Sequence, residues 1–175
     1  MLLENEKIKL RAVEPEDLDV LYRWENNPNY WHAGELRVPY SKFALKQYIL
    51  SSGENIYESK QLRFMIDSKM LNETVGTIDL FDFDVFNSRV ALGLLIDEPY
   101  RGKGFAEESV MLIEKFVFDY LKINQLYAKI PEINQASGTL FVKLGYEKNC
   151  ILKDWTSTET GFANVILFQK FRTSI

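Results

Sequence analysis

The sequence predicts an α+β fold, in which a central, twisted, mixed sheet of about seven strands is flanked by about four helices. Two observations lead to this prediction. Segments with period-two hydrophobicity alternate along the chain with segments of helical spacing, in the order β-α-α-β-β-β-α-β-α-β-β. The 175 residues contain no internal repeat, low-complexity tract or linker, so we expect residues 1–175 to form a single domain.

The first part of the chain predicts one strand and two helices. Residues 8–13 alternate between apolar and polar, mostly basic, side chains, which is typical of a half-buried strand. Pro15 then begins a helix with an acidic first turn, and residues 26–28 end it. A second helix follows Ser41 and stops at residues 51–53.

Three strands are predicted next. Residues 62–66 and 74–83 form a hairpin with a turn near residues 70–73, and residues 89–96 form the third strand. Within that third strand, residues 91–96 are all apolar or glycine. A strand that is apolar on both faces is expected at the centre of a sheet.

The remainder of the chain predicts two helices and three strands. The helices are expected at residues 104–121 and 134–144, and the strands at residues 125–130, 147–153 and 163–171. Asn134 is expected to cap the second of these helices, and Gly145 lies just beyond its end.

Composition and charge exclude several classes of partner. The formal net charge of −4, from 21 basic and 25 acidic side chains, argues against a nucleic-acid binder, which needs a concentrated basic surface. One His and one Cys are too few for a structural zinc site, and no apolar run is long enough to cross a membrane. We therefore expect a cytoplasmic protein without a metal, nucleic-acid or membrane partner, and the sequence leaves a homodimer open.

A glycine-rich turn follows the predicted central strand. Gly102 and Gly104 have no side chains, so the backbone there can approach a ligand closely. The first amides of the following helix lack internal partners, and Arg101 and Lys103 add positive charge beside them. Such a turn suits a diphosphate group. The alternative is a tight strand-to-helix connection in which the glycines only relieve strain.

Two segments resemble one enzyme family. Residues 101–106, Arg-Gly-Lys-Gly-Phe-Ala, match the (Arg/Gln)-x-x-Gly-x-(Gly/Ala) signature of the GCN5-related N-acetyltransferases, the GNAT family. Residues 134–146 are similar to that family's Asn-x-x-(Ser/Ala)…Leu-Tyr-x-Lys-x-Gly-Phe segment. The N-terminal helices and the final hairpin look like the branch that contains ribosomal-protein N-terminal and spermidine acetyltransferases.

The resemblance implies a GNAT fold and acetyl-CoA as cosubstrate. The pantetheine arm and thioester would bind the backbone of Leu94, Leu95 and Ile96. The pyrophosphate would be held by Arg101, Gly102, Lys103, Gly104, Phe105 and Ala106. Asn134 and Lys143 would lie near the coenzyme, although Asn134 is also explained as a helix cap and Lys143 as a solvated side chain.

The family chemistry is a direct attack of an amine on the thioester, without a covalent enzyme intermediate. Two frequent family groups are missing here, because Phe141 replaces the tyrosine acid and Ala91 replaces a glutamate on the central strand. By similarity to the ribosomal-protein branch, Ser137 is the candidate acid that protonates the leaving thiolate. The alternative is that Ser137 is only a residue of the first helical turn.

The acceptor implied by the resemblance is a primary amine on a peptide N-terminus, a polyamine or another small molecule. Tyr30 and Trp31 are predicted to form an aromatic wall of its pocket, and His32 borders the same region. Asp79 lies on the predicted strand at residues 74–83, together with Asp82, and is the predicted acidic contact. The missing tyrosine and glutamate favour an alternative function, a non-catalytic acyl-CoA-binding regulatory domain, and a purely structural domain is a second alternative.

Overall fold

Seven strands form one mixed sheet, which confirms the predicted α+β class. The computed structural model of the chain describes residues 2–31, 38–53 and 55–173, without the side chain of Trp31. The strands lie in the order β1-β2-β3-β4-β5-β7-β6. They are β1 Ile8–Ala12, β2 Leu62–Ser68, β3 Glu73–Asp84, β4 Arg89–Ile96, β5 Gln125–Pro131, β6 Glu147–Thr158 and β7 Gly161–Phe171.

The helices include two that the sequence did not predict. They are α1 Leu18–Glu25, α2 Pro28–Trp31, α3 Lys42–Ser51, α4 Ile56–Ser59, α5 Phe105–Lys115 and α6 Gln135–Lys143. The extra helices α2 and α4 are single turns of four residues, too short to give a periodic pattern. The predicted long helix at residues 104–121 is α5 followed by a wider π-helical turn, Phe116–Tyr120.

Side-chain caps fix where two of the helices begin. The Ser41 hydroxyl accepts a hydrogen bond from the Ala44 amide at 3.0 Å, at the start of α3. The Asn134 side-chain oxygen accepts one from the Ser137 amide at 3.2 Å, at the start of α6, which confirms the predicted cap. Beyond α6, Gly145 has φ +83°, a left-handed conformation that favours glycine at a helix end.

The two faces of the sheet carry two separate apolar cores. On one face, here the α5 face, buried residues of the strands pack with Val110 and Ile113 of α5 and Phe141 of α6. On the other, here the α1 face, Met65 of β2 packs with Leu21 of α1, Ile49 of α3 and other apolar residues. The sheet therefore separates α1 and α3 from α5 and α6, and a ligand can pass between the faces only where strands part.

Strands β4 and β5 part near the middle of the sheet. They pair in parallel at only three positions, Arg89 with Gln125, Val90 with Leu126 and Ala91 with Tyr127. Beyond Ala91, β4 stays paired with β3, whereas β5 stays paired with β7 as far as Pro131. The end of β4, from Gly93 to Ile96, is consequently half-buried rather than fully buried as its composition predicted.

No helix among the described residues is long and apolar enough to cross a membrane. Within the same residues, no group of three or more His, Cys, Asp or Glu side chains is placed to hold a metal ion. Cys150 lies exposed on β6 as a free thiol.

Candidate active site

A cavity of about 970 Å³ opens where β4 and β5 part. Its volume is typical of sites for small molecules and cofactors. One wall is the end of β4 and the glycine-rich loop, and the opposite wall is the end of β5 with the start of α6. Tyr30 of α2 and the turn between β6 and β7, residues 158–160, close its sides. The predicted coenzyme segments, distant in sequence, thus meet at one cavity.

The backbone of β4 presents peptide groups to this gap. The Asp97 amide donates to the Val75 carbonyl at 2.9 Å, so Val75 and Asp97 form a hydrogen-bonded pair between antiparallel neighbours. Hydrogen-bonded pairs alternate along such a ladder, so Leu95 also directs its N–H and C=O towards β3. Leu94 and Ile96 therefore direct theirs into the gap, where an extended ligand can bind them as a further strand would.

A glycine on β3 allows the close approach behind Leu95. A Cβ atom on Gly76 would lie 2.1 Å from the Leu95 carbonyl oxygen. We expect Gly76→Ala to lower the free energy of unfolding by roughly 2–3 kcal/mol, because the two backbones must move apart. Urea denaturation measures this change.

A control on α6 separates this contact from the general effect of adding a methyl group. The nearest atom to a Cβ on Gly138 is the Phe168 Cζ at 3.7 Å, an ordinary contact. Gly138→Ala should therefore stabilise the protein by about 0.5–1 kcal/mol, as expected for a helical glycine. Equal stability of Gly76→Ala and the unmodified protein would contradict the proposed clash.

The loop before α5 depends on glycine for its conformation. Gly102 has φ +72° and Gly104 has φ +85°, both in the left-handed region that other residues rarely adopt. A Cβ on either would meet no atom within 4 Å, so the backbone conformation and not lack of space requires glycine. No side chain caps α5 at Gly104, which leaves its first amides for a ligand.

The other predicted loop residues divide between the cavity and the solvent. Arg101, Phe105 and Ala106 line the cavity, but Lys103 does not. The Lys103 Nζ lies 5.6 Å from the centre of the Tyr100 ring. The Arg101 Nε donates to the Ile96 carbonyl at 3.0 Å, so this side chain holds one of the peptide groups that face the gap.

Tyr30 connects α2 to the beginning of the loop. Its hydroxyl donates to the Asp97 carboxylate at 2.6 Å and accepts from the Glu98 amide at 3.0 Å. Burial, and secondly this hydrogen bond, raise the pKa of Tyr30. Burial alone would raise the pKa of Asp97, but the hydrogen bond from Tyr30 and the charge of Arg23 lower it overall. The Arg101 guanidinium lies 5.3 Å from the centre of the Tyr30 ring, so a neutral, fixed phenol supports the loop cation.

Helix α6 presents Ser137 to the cavity and turns Phe141 away from it. Asn134, Ser137 and Leu140 all line the cavity, as their spacing on one helical face requires. Phe141 is buried in the core of the α5 face, 4.8 Å from Tyr146 between ring centres. The position where the family often has a tyrosine is thus filled here by a packing residue.

Lys143 does not line the cavity itself but forms an ion pair with Glu107, which does. Its Nζ lies 2.6 Å from the Glu107 carboxylate, and Glu107 lines the cavity at the first turn of α5. Lys143 itself is largely exposed, with 63% of its side chain accessible. The ion pair neutralises a carboxylate that would otherwise repel an anionic ligand at the same helix end.

The predicted acceptor residues do not all meet at the cavity. Tyr30 lines it, whereas the side chain of Trp31 and all of His32 lie outside the described residues. Asp79 is not among the lining residues, and Arg63 binds both of its carboxylate oxygens, at 2.6 and 2.9 Å. Residues 158–160 also line the cavity, and only the strand order brings this segment there.

Comparison with known proteins identifies the family. The model of the acetyltransferase (GNAT) domain matches residues 7–147. The chain is 30% identical over 164 residues to the SPbeta prophage-derived uncharacterized N-acetyltransferase YokL of Bacillus subtilis (strain 168), covering 93% of this chain and 89% of that protein. It is 25% identical over 142 residues to the spermidine N(1)-acetyltransferase of Escherichia coli (strain K12), covering 79% and 72%.

Solved structures show the same fold. A spermidine N-acetyltransferase from Vibrio cholerae, in complex with CoA and spermine, matches with a TM-score of 0.87 and 18% identity over 96% of this chain and 97% of that one. A ribosomal-protein-S5-alanine acetyltransferase from Vibrio fischeri matches with a TM-score of 0.85 and 19% identity, covering 98% and 96%. These proteins are named as transferases, which gives no support to a non-catalytic alternative. The chain belongs to the GNAT acetyltransferase family, and it is an N-acetyltransferase that uses acetyl-CoA as its donor.

Proposed function

We propose that this protein acetylates a primary amine of a small cationic molecule, with a polyamine as the first candidate. This proposal rests on the separation of β4 and β5. The cavity between the two strands connects the glycine-rich loop with the α1 face. Acetyl-CoA would enter beside the loop, and the acceptor would approach its thioester from the α1 face.

The donor would be held mainly by backbone groups. The peptide groups of Leu94 and Ile96 would bind the pantetheine arm, with Leu95 packing beside it. The amides of the loop at residues 101–106 would bind the pyrophosphate, because a helix N-terminus offers unpartnered donors to an anion. Arg101 would release the Ile96 carbonyl when the coenzyme takes its place.

The reaction would be a single direct displacement. The neutral amine nitrogen forms a bond to the thioester carbon, the carbon–sulfur bond breaks, and the thiolate of CoA leaves. The Ser137 hydroxyl, which is placed on the cavity wall, would donate a proton to that thiolate. The attacking amine loses one proton, which passes through solvent and restores the Ser137 hydroxyl, and no covalent enzyme intermediate is needed.

Relatives support a polyamine as the acceptor. Spermidine N(1)-acetyltransferases from Escherichia coli and Vibrio cholerae match 79% and 81% of this chain. A peptide N-terminus is the second candidate, favoured by the structural match to the ribosomal-protein acetyltransferase and by the serine at position 137. The hairpin departs from the usual family pattern, with Phe162, Ala163 and Asn164 in place of Tyr-x-Asp, so the acceptor has to be measured.

Free-thiol release from acetyl-CoA tests the proposed function. The panel should contain polyamines, aminoglycosides, amino acids and short peptides, with acetyl-CoA binding measured alongside by calorimetry. We expect release that depends on the amine and is fastest with a polyamine. Release with peptides alone would select the second candidate, and saturable coenzyme binding without release from any amine would contradict the proposal.

The rate should increase from neutral to mildly alkaline pH. Only the neutral amine attacks the thioester, and an aliphatic amine is mostly protonated at pH 7. We expect kcat/KM for the acceptor to rise about tenfold per pH unit below the pKa of the amine and then to level off. A flat profile from pH 7 to 9, at constant coenzyme affinity, would show that deprotonation of the acceptor does not limit the rate.

A further inference from the structure

A bulge in β3 changes the face on which Asp82 lies. The pairing of β3 with β4 shifts between Phe81 and Asp84, and Asp82 has φ +50°. Strict alternation would place Asp82 on the α5 face, two residues after Leu80. Instead, Phe83 packs in the core of the α5 face together with Leu80. A one-residue bulge exchanges faces in this way, so Asp82 turns towards the α1 face.

Tyr127 on β5 meets Asp82 across the intervening strand. Its neighbours Leu126 and Ala128 belong to the core of the α5 face, so Tyr127 lies on the α1 face. Its hydroxyl is 3.5 Å from the Asp82 carboxylate. Two strand spacings, about 10 Å, separate β3 from β5. The phenol therefore crosses β4 near Ala91, where a small side chain leaves room for it.

This pair lies next to the point where β4 and β5 part, and neither of its residues lines the cavity. Ala91 and Tyr127 form the last pair before β4 and β5 part. Tyr127 and Gly93 are half-buried and Asp82 is exposed, so this part of the α1 face is accessible. The cavity is lined from this face by Leu95 and Tyr30. A molecule bound at Asp82 would thus lie at the Ala91 end of the gap, and an extended molecule would reach from there along the α1 face to the cavity.

Asp82 differs from the neighbouring carboxylate on the same strand. Asp79 is held by two of the three guanidinium nitrogens of Arg63. Within the part of the chain that the structure describes, Asp82 forms no ion pair. Burial, and secondly the charge of Asp82, raise the pKa of Tyr127, so the phenol stays protonated and its hydroxyl faces the carboxylate as a donor at 3.5 Å.

We propose that Asp82 and Tyr127 form a subsite for the acceptor, in which the Asp82 carboxylate pairs with an ammonium group of the polyamine other than the nitrogen that is acetylated. Tyr127 is a positioning residue, which holds the carboxylate beside the gap. The pair occupies the place at Ala91 where the family often has a glutamate. This inference rests on the proposed function, because it requires an amine that is acetylated.

The test is steady-state kinetics with the best acceptor of the thiol-release panel. Asp82→Asn removes the charge but keeps the shape, and asparagine tolerates the left-handed conformation. We expect the KM for the amine to rise at least about tenfold, with the KM for acetyl-CoA within about twofold of the original, since a charged hydrogen bond is lost. Tyr127→Phe should raise the KM for the amine about threefold.

Two matched controls lie on the π-helical turn after α5, on the other side of the sheet. Asp119→Asn removes the same charge and Tyr120→Phe removes the same hydroxyl from exposed positions. Both should leave the kinetics unchanged. The double variant of Asp82 and Tyr127 should resemble Asp82→Asn alone, because the phenol acts through the carboxylate.

The outcomes separate this inference from the proposed function. If the unmodified protein acetylates an amine and Asp82→Asn leaves the KM for that amine unchanged, the subsite is wrong and the function stands. Equal increases in both KM values would also overturn it, as they would indicate a structural effect. If the unmodified protein acetylates no amine, both proposals are contradicted.

Discussion

Replacing Gly104 with Trp is expected to abolish acetyl-CoA binding while the protein stays folded. Gly104 has φ +85° and lies at the start of α5, whose first amides no side chain caps. An indole there would occupy the space into which those amides point. Losing two or more charge-assisted hydrogen bonds to a pyrophosphate should weaken binding by at least about a hundredfold. Isothermal titration calorimetry with acetyl-CoA measures the loss.

The fold should survive because no atom of the described residues fills that space. A Cβ on Gly104 meets no atom within 4 Å, so the cost to the folded state is the backbone strain of a left-handed residue, about 1–2 kcal/mol. Gly145→Trp is the matched control, since Gly145 has φ +83° and equally open surroundings at the end of α6. It should carry the same strain and keep its affinity for acetyl-CoA. Retained affinity in Gly104→Trp would remove this loop from coenzyme binding.

Replacing Ser137 with Ala is expected to lower kcat about a hundredfold, with little change in the affinity for acetyl-CoA. The side chain lines the cavity, and its amide is fixed by the Asn134 cap at 3.2 Å. Loss of a general acid typically costs a factor of about 10²–10⁴ in rate, whereas binding of the donor depends on other groups. Single-turnover thiol release and calorimetry on the same sample separate the two effects.

A neighbouring hydroxyl provides the control for this change. Thr139 lies on the same helix but is exposed and does not line the cavity. Thr139→Ala should leave both kcat and coenzyme affinity unchanged. If Ser137→Ala behaves in the same way, Ser137 has no part in protonating the thiolate. Phe141 cannot replace it, because a phenyl ring has no acidic proton and this one packs against Tyr146 and Phe168.

The sequence predicted those features of the protein that depend on interactions between residues close together in the chain. The seven strands follow from hydrophobic periodicity, and the bounds of β4 match the prediction, Arg89–Ile96. The Asn134 cap and the uncapped helix after the glycines depend on residues within one turn of each other. The conformation of this loop could therefore be predicted from the amino-acid sequence, because its own glycines set it.

Contacts between distant segments decided the rest of the site. Asp79 was the predicted acidic contact, but pairing of β2 with β3 places Arg63 opposite it. The bulge after Phe81 turned a different carboxylate, Asp82, to the α1 face, and strict alternation could not have predicted that. Phe141 is a conspicuous substitution in the sequence, yet the structure explains it as a core residue.

By itself, then, the sequence determined which elements form and which loop suits a diphosphate, because both depend on periodicity and on backbone conformations that neighbouring residues set. Only the tertiary structure decided that β4 and β5 part after Ala91 and that Tyr127 reaches Asp82 at that point. The first feature arises because β5 leaves β4 to follow β7, a pairing between segments about 40 residues apart that no local pattern encodes. The second arises because the bulge in β3 turns Asp82 to the face on which Tyr127 lies.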